Sequence, residues 1–391
     1  MRILIAHNRY QQAGGEDAVV NTECNLLRDF GEEVRLYECT NDEIEGYSLA
    51  QKISFLWSMG WSKKSYQVIR RILKEFSPQV AHFHNIFFTL SPSVYQACRD
   101  ENIPIVQSLH NFRLLCVNGL FFRDNHVCED CLTQKSRWPG VLHGCYKKSR
   151  LISTLAVRVL DRHWRQGTWT NAVDYYITAT EFGRQKYIAG GIPAEKIIVK
   201  PNFLHPDPGA RAGKKDYALY VGRLSVEKGA DFLVKAWQKL PDVPLKIMGE
   251  GPLSNDLKNL TAKNNSRHVE FLGFLNQERY AEYMRGAKFI VVPSICYENF
   301  PRIVAEAYAY GIPVLASRLG TMTDLVQDNV TGVLFDPENI NDLQAKVKWL
   351  ASQDGVLQEM GKRARKLYEE KYAAEKNYES LLTIYKQAIK K

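Results

Sequence analysis

Two glutamates, Glu298 and Glu306, stand eight positions apart in CYENFPRIVAEAYAYGIPV (296–314), with Phe300, Pro301 and Arg302 between them. On one continuous helix that spacing would separate them by about 12 Å and nearly a quarter turn. Two acids so placed could hardly share a small substrate. Proline changes the geometry, because it is tolerated in the first turn of a helix and disfavours helical angles in the residue before it. The pattern therefore predicts Glu298 in a loop and Glu306 about a turn and a half inside the helix that follows. Between them lies a helix N-terminus, whose unpaired N–H groups and dipole attract anions. A ligand with a phosphate in its middle and a hydroxyl-rich group at each end, such as a sugar nucleotide, fits that layout.

Cations stand where such a phosphate would need them. In YALYVGRLSVEKG (217–229), Arg223 and Lys228 follow a strand-like run and Gly222. Near the start, Gly14 and Gly15 in GGE form a tight turn before a helical pattern, a place where backbone can approach an anion. His110 ends the apolar run IPIVQSLH (103–110), where a strand's carboxyl end is expected.

The elements that must position these residues alternate. An apolar run Ile3–Ala6, a helical pattern through Val19, Val20, Leu26 and Leu27, and a second run Val34–Tyr37 make a βαβ unit. Runs at 80–84 and 103–110 continue it, with a helical segment at 64–76. After the Pro/Gly-rich stretch 201–216, read as a linker, runs at 217–222, 245–249, 269–273, 289–294, 313–317 and 332–335 repeat the alternation. This predicts an α/β chain of two doubly wound, Rossmann-like domains. The expected division is 1–205, with a Cys-rich insertion at about 111–170, then 206–375, then a C-terminal helix 376–391 packing back on the first domain. Ligands of such sheets bind beyond the carboxyl ends of the strands, so two domains facing across a cleft would offer phosphate-friendly loops on both sides.

With those motifs in place, the chain resembles the retaining glycosyltransferases of family 4, of the bacterial cell-surface polysaccharide type, which have the two-domain GT-B fold. The resemblance rests on PSICYENFPRIVAEAYAYGIPVLAS, supported by GGE (14–16), HFHN (82–85), LHN (109–111), PN (201–202), VGRLSVEKG (221–229), GEGP (249–252) and VTGVLF (330–335). It implies that Glu298 meets donor-sugar hydroxyls and Glu306 the ribose hydroxyls. Backbone around Phe300, Arg302 and Ile303 would face the sugar and diphosphate. Arg223 and Lys228 would neutralise the diphosphate, Gly15 would let the first loop approach it, and His110 would contact the sugar near the reacting carbon. No cofactor would be required for catalysis. The implied reaction moves a sugar from a nucleotide diphosphate sugar to a hydroxyl of a glycan or lipid-linked acceptor. Pro301 stands where the family often has glycine, and Asn111 where many members have Asp.

Composition bounds the rest. The 391 residues are 45% hydrophobic and 24% charged, ordinary for a globular protein. No run is long enough for a spanning helix, and the expected location is cytoplasmic, with peripheral contact to the inner face of the cell membrane as an extension. The net charge of +9 is concentrated: residues 135–165 hold eight Lys or Arg and one acid. Within that segment the helical pattern 149–166 is basic and amphipathic, which suits either an anionic membrane surface or a core helix with a solvated basic face. Cys116, Cys128, Cys131 and Cys145 include a C-x2-C pair, and a structural zinc on these four thiolates is a candidate. Alternative functions are another GT-B enzyme, such as a nucleotide-sugar epimerase or a phosphorylase, and more distantly a zinc-containing nucleic-acid-binding protein. The last leaves the Glu298/Glu306 pattern unexplained, so no nucleic-acid partner is expected.

Overall fold

The computed structural model describes residues 1–9, 14–40, 60–87, 89–211 and 216–391. Residues 212–215 of the linker lie outside the described residues. The chain divides into two compact units. The first comprises residues 1–120, 129–205 and 375–391; the second comprises 121–128 and 206–374.

Strands of the first unit are β1 (Arg2–Arg9), β2 (Glu33–Thr40), β3 (Val80–Phe83) and β4 (Ile105–Leu109). After β4 the chain makes a small hairpin that belongs to the second unit, β5 (Phe122–Arg123) and β6 (His126–Val127), and β7 (Tyr175–Thr178) and β8 (Ile197–Val199) complete the first unit's sheet. Its order is β2-β1-β3-β4-β7-β8, all parallel. Parallel strands buried on both faces are apolar throughout, and Ile3, Leu4, Ile5 and Ala6 have no exposed surface. One face is closed by helix Ala374–Lys390, which brings Leu381, Ile384, Tyr385 and Ala388 against Ile3, Ile5, Val20 and Val106. The spacing of those four is that of a single helix face.

The Cys-rich insertion is built of turns, the hairpin, short helices Asp130–Thr133 and Trp138–Leu142, and the longer helix Arg150–Arg165. Ser149 caps the last, accepting from the Ile152 N–H at 3.4 Å. This helix buries Ser153, Ala156, Val157 and Leu160 and leaves Leu151 72% exposed. Its core stripe is thus a face that carries the small residues Ser153, Ala156 and Val157.

The second unit holds β9 (Tyr217–Val221), β10 (Leu245–Met248), β11 (Val269–Gly273), β12 (Ala287–Val292), β13 (Val314–Ser317) and β14 (Gly332–Phe335). The order β11-β10-β9-β12-β13-β14, again parallel, reverses direction between β9 and β12. Trp237, Phe289, Leu315 and Leu343 anchor its core, and the Trp237 indole N–H is spent on the Val243 carbonyl at 2.9 Å.

Leu381→Ala should lower the stability of the first unit by about 2–5 kcal/mol, the usual cost of a fully buried leucine. Urea unfolding of the whole chain measures this. A midpoint indistinguishable from wild type would mean that the terminal helix is not part of that core.

Candidate functional site

In the second unit the predicted residues gather where the sheet reverses, the position at which doubly wound sheets bind ligands. The loop leaving β9 carries Gly222, Arg223 and Lys228, and the loop leaving β12 carries Glu298 and Phe300. Three close approaches fix these loops. Gly249 has φ +126, and a Cβ there would lie 2.1 Å from the Gly222 carbonyl oxygen. Gly229 has φ +67, and its Cβ would lie 2.0 Å from the Pro293 carbonyl oxygen. The Ile295 N–H donates to the Glu227 carbonyl at 3.1 Å. Only glycine permits the first two of these contacts.

Within this frame the Lys228 ammonium donates to both oxygens of Glu298, at 2.6 and 2.8 Å. The Ser294 hydroxyl adds a third bond to the same carboxylate at 2.7 Å. Burial works against the ammonium, but Glu298 outweighs it and holds the Lys228 pKa above its ordinary value. The resemblance puts the two residues on different parts of a ligand, and nothing in their spacing announces this ion pair. Arg223, on the same loop as Lys228, is exposed.

Pro301 caps helix Arg302–Ala309 with extended backbone, φ −71 and ψ 107. Glu298 is accordingly in the preceding loop and Glu306 is the fifth helical residue, as the proline spacing predicts. Phe300 and Ile303 are buried at the helix start. Glu306 is held by Arg302, one turn earlier, at 3.3 Å and by the Tyr280 hydroxyl. Burial first, and then Glu306, push the Tyr280 phenol well above its usual pKa, so it remains a donor. Tyr280 was not singled out in the sequence; it sits in an exposed, charge-rich helical stretch without a motif.

In the first unit, three strand ends each deliver a histidine. His7 lies near the end of β1, His84 follows β3 and His110 follows β4. Asp17 links the first of them to the GGE turn: it bonds His7 Nε2 at 2.8 Å and accepts from the Gly14 N–H at 2.8 Å. Gly15 then opens helix Gly15–Asp29 and is exposed. His110 Nε2 lies 2.8 Å from His84 Nδ1, and both line a pocket with Asn85, Phe87, Asn111 and Arg113. Behind them, Glu23 lies 3.4 Å from His84 Nε2 and 3.2 Å from His82 Nδ1. Its other oxygen accepts from Lys200 at 3.1 Å, and Lys200 also reaches Asn377 at 3.0 Å. Glu23 and Lys200 carry no motif. The signal in the sequence is an acid inside an apolar stripe, since Val19, Val20, Cys24, Leu26 and Leu27 around it are buried too.

Among the described residues, Glu23, His82 and His84 form the one group of three or more potential ligands whose donor atoms lie within 4.8 Å. The Lys200 ammonium already answers that carboxylate, and His82 is engaged on both nitrogens, by Tyr385 at 2.7 Å and Ser108 at 2.9 Å. Hydrogen bonds therefore account for one Glu23 oxygen and both His82 nitrogens, while the other Glu23 oxygen and His84 Nε2 face each other at 3.4 Å without one. Cys116, Cys128, Cys131 and Cys145, the candidate zinc ligands, are not brought together as such a group. All eight cysteines are outside disulfides. The Cys116 thiol is buried and donates to Asn118 at 3.0 Å, while Cys131 is taken into helix Asp130–Thr133.

Gly229→Ala should displace the loop carrying Lys228, because the added carbon meets backbone that cannot yield cheaply. The expected outcome is a lower thermal midpoint together with weakened nucleotide binding. Unchanged values for both would show that the loop adapts.

Known proteins bear on this arrangement. The family described as Glycosyltransferase Family 4 matches residues 13–207, and that described as Glycosyl transferases group 1 matches residues 204–367. A glycosyltransferase of Methanocaldococcus jannaschii is 31% identical over 192 residues, 49% of this chain and 54% of that one. A second from the same organism is matched over 45% of its length, so the chain spans about half the length of the curated relatives it matches. Sucrose-phosphate synthase from Thermosynechococcus elongatus superposes with a TM-score of 0.73, covering 98% of both chains at 18% identity. Anabaena HepE, solved with UDP-glucose, gives 0.68 at 15% identity, covering 99% of this chain and 98% of that one. With one family matched in each half and the fold shared over nearly the full length, the chain belongs to the family 4 glycosyltransferases and has their GT-B fold.

Proposed function

We propose that this protein is a retaining glycosyltransferase that moves a sugar from a nucleotide diphosphate sugar to a hydroxyl of a glycan or lipid-linked acceptor, in surface polysaccharide or lipopolysaccharide assembly. The observation that carries the donor half is the order of groups along one strand-end loop and helix. Glu298 comes first, paired with Lys228, then the helix N-terminus at Arg302, then Glu306 a turn inside. In this reading Glu298 binds hydroxyls of the donor sugar, the N–H groups near Phe300, Arg302 and Ile303 meet the diphosphate, and Glu306 binds the ribose. The UDP-glucose held by HepE is a ligand of this kind.

Catalysis then consists of stabilising charge that grows on the leaving diphosphate. Arg223, Lys228 and the helix dipole supply that stabilisation, while Gly15 lets the first loop near the phosphates. His110 contacts the sugar near its reacting carbon. The leaving phosphate oxygen takes the acceptor's proton on the same face, which conserves the configuration of that carbon. The reading requires no cofactor for the reaction.

A surface near the insertion supports a membrane-borne acceptor. The short helix Trp138–Leu142 packs against Arg150–Arg165. Trp138, Leu142 and Leu151 are exposed, among exposed Lys135, Lys147, Lys148 and Arg150. Apolar side chains rimmed by cations suit an anionic bilayer. No helix among the described residues is long and apolar enough to cross a membrane, so contact would be peripheral, on the inner face of the cell membrane.

Two experiments test these readings. Glu306→Ala should weaken nucleotide binding and spare discrimination between donor sugars, and Glu298→Ala should do the reverse. Each loss should be about 1.5–3 kcal/mol, roughly 10- to 150-fold. Small, equal effects on calorimetric binding of UDP, GDP or ADP and their sugars would contradict the two-ended assignment. In flotation with anionic vesicles, Arg150, Arg158, Arg162 and Arg165 changed to Gln should release the protein, since each cation near such a surface contributes about 1 kcal/mol. A wild-type chain that does not float would remove the membrane from the proposal.

A further inference from the structure

We propose that Glu23 is a positioning residue for His110, acting through His84: it fixes the tautomer of both rings so that His110 offers its substrate an Nδ1 lone pair, not a proton. The proposal rests on the reading of His110 given above. It adds Glu23, Lys200 and His84 to the residues on which that contact depends.

The geometry between the two rings is decisive. His110 Nε2 and His84 Nδ1 are 2.8 Å apart, the ring centroids are 5.1 Å apart, and the planes differ by 11°. The centroid separation exceeds the N···N distance by about two ring radii, so the rings lie edge to edge in nearly one plane. That is the arrangement of an in-plane hydrogen bond with a single shared proton. Either ring could donate it, and the far side of His84 decides which one does.

There, His84 Nε2 lies 3.4 Å from a Glu23 oxygen that is also 3.2 Å from His82 Nδ1; neither His84 Nε2 nor that oxygen makes a hydrogen bond, so what acts between them is charge across a buried gap. Glu23 and His84 are fully buried. Burial alone would raise the Glu23 pKa, but Lys200 and then His82 reverse this and hold it well below its ordinary value. Glu23 is therefore a carboxylate and can only accept. A lone pair on His84 Nε2 would face that negative charge without water to screen it, whereas an N–H there is attracted to it. His84 is thus Nε2–H and accepts at Nδ1, so His110 must donate from Nε2. Burial keeps both rings neutral, His84 down to a pKa of about 3 and His110 well below its usual value. The atom His110 has left is an unprotonated Nδ1, which can accept from a hydroxyl and cannot donate to a phosphate oxygen. The contact it makes is selective for O–H.

Lys200 makes the inference testable by an isosteric change. In Glu23→Gln the amide oxygen must turn to the Lys200 ammonium, which leaves the NH2 group facing His84 Nε2. A donor there forces His84 to accept at Nε2 and to carry its proton on Nδ1, and His110 then becomes Nδ1–H. One substitution buried behind the pocket reverses the hydrogen-bonding polarity of a ring it does not touch.

The experiment is 15N–1H correlation spectroscopy of the whole chain, labelled with 15N-histidine and free of ligand, with signals assigned by His84→Gln and His110→Gln. In the wild type, His110 and His84 should both show protonated Nε2 and unprotonated Nδ1. A protonated Nδ1 on His110 would overturn the proposal without any variant having to fold. In folded Glu23→Gln both rings should switch to Nδ1–H. Turnover of UDP-sugar donors should also fall about tenfold in kcat, the worth of one hydrogen bond, with little change in nucleotide affinity. Unchanged tautomers in that variant would equally overturn it. The tautomers are read without substrate. Should they come out as expected in a protein that binds no nucleotide sugar, the reading of the activity fails and the positioning role stands.

Discussion

A carboxylate with almost no exposed surface, Glu23, has to be answered by groups as deeply buried as itself, and the first unit is organised around doing so. Leaving one such charge unpaired costs several kcal/mol. The resulting cluster is assembled from four separate stretches of chain. Glu23 is on helix Gly15–Asp29, His82 and His84 belong to the end of β3, Lys200 follows β8, and Asn377 steadies Lys200 from the terminal helix. Tyr385 on that helix takes the Nδ1 side of His82. Pairing the charge therefore draws the carboxyl ends of the sheet and the helix behind it into one register. Tight hydrogen bonding at the centre leaves the strand-end loops, where His110 and Gly15 lie, little freedom to drift.

The second unit holds its ion pair differently. Lys228 and Glu298 keep 33% and 11% of their side-chain surface, so solvent or a ligand can compete for them. Glu306, shared by Arg302 and Tyr280, is likewise partly open. Under the proposed reading, sugar hydroxyls would take over Glu298 and phosphate oxygens Lys228, so the pair would keep the site polar until a ligand replaced it. The pair in the first unit has no such access and is part of the scaffold. Similar chemistry thus serves two purposes, separated by exposure.

Much of this was readable in the residues. Ten strands show as apolar runs between turn signals, and the proline at 301 placed Glu298 and Glu306 on either side of a helix start. The strands Tyr175–Thr178 and Ile197–Val199 were passed over. Both are short, and one ends beside a lysine, Lys200, whose burial depends on an acid 177 positions away. Periodicity reports which face of an element is buried but not what lies across from it. For that reason the Lys228–Glu298 pair, the His84–His110 contact and the role of Tyr280 could not be read. Leu151 shows the same limit: its helix pattern is legible, but the face that packs is the one carrying Ser153, Ala156 and Val157. The four cysteines were grouped by spacing in the sequence alone, which carries no information on how turns orient their thiols.

The terminal helix has a consequence for how the protein is made. Leu381, Ile384, Tyr385 and Ala388 belong to the same hydrophobic cluster as Ile3 and Ile5, yet nearly the whole sequence separates them. A ribosome releases the chain from its N-terminus, and domains tend to fold as they emerge. Residues 206–374 can complete their sheet while the first unit, although synthesised earlier, still lacks one wall. Until residues 374–390 have been made, its β-sheet presents an uncovered apolar face, with the Glu23 cluster still lacking Asn377 and Tyr385. Strands made early wait for a helix made late, and in that interval a nascent chain has most need of a chaperone's shelter.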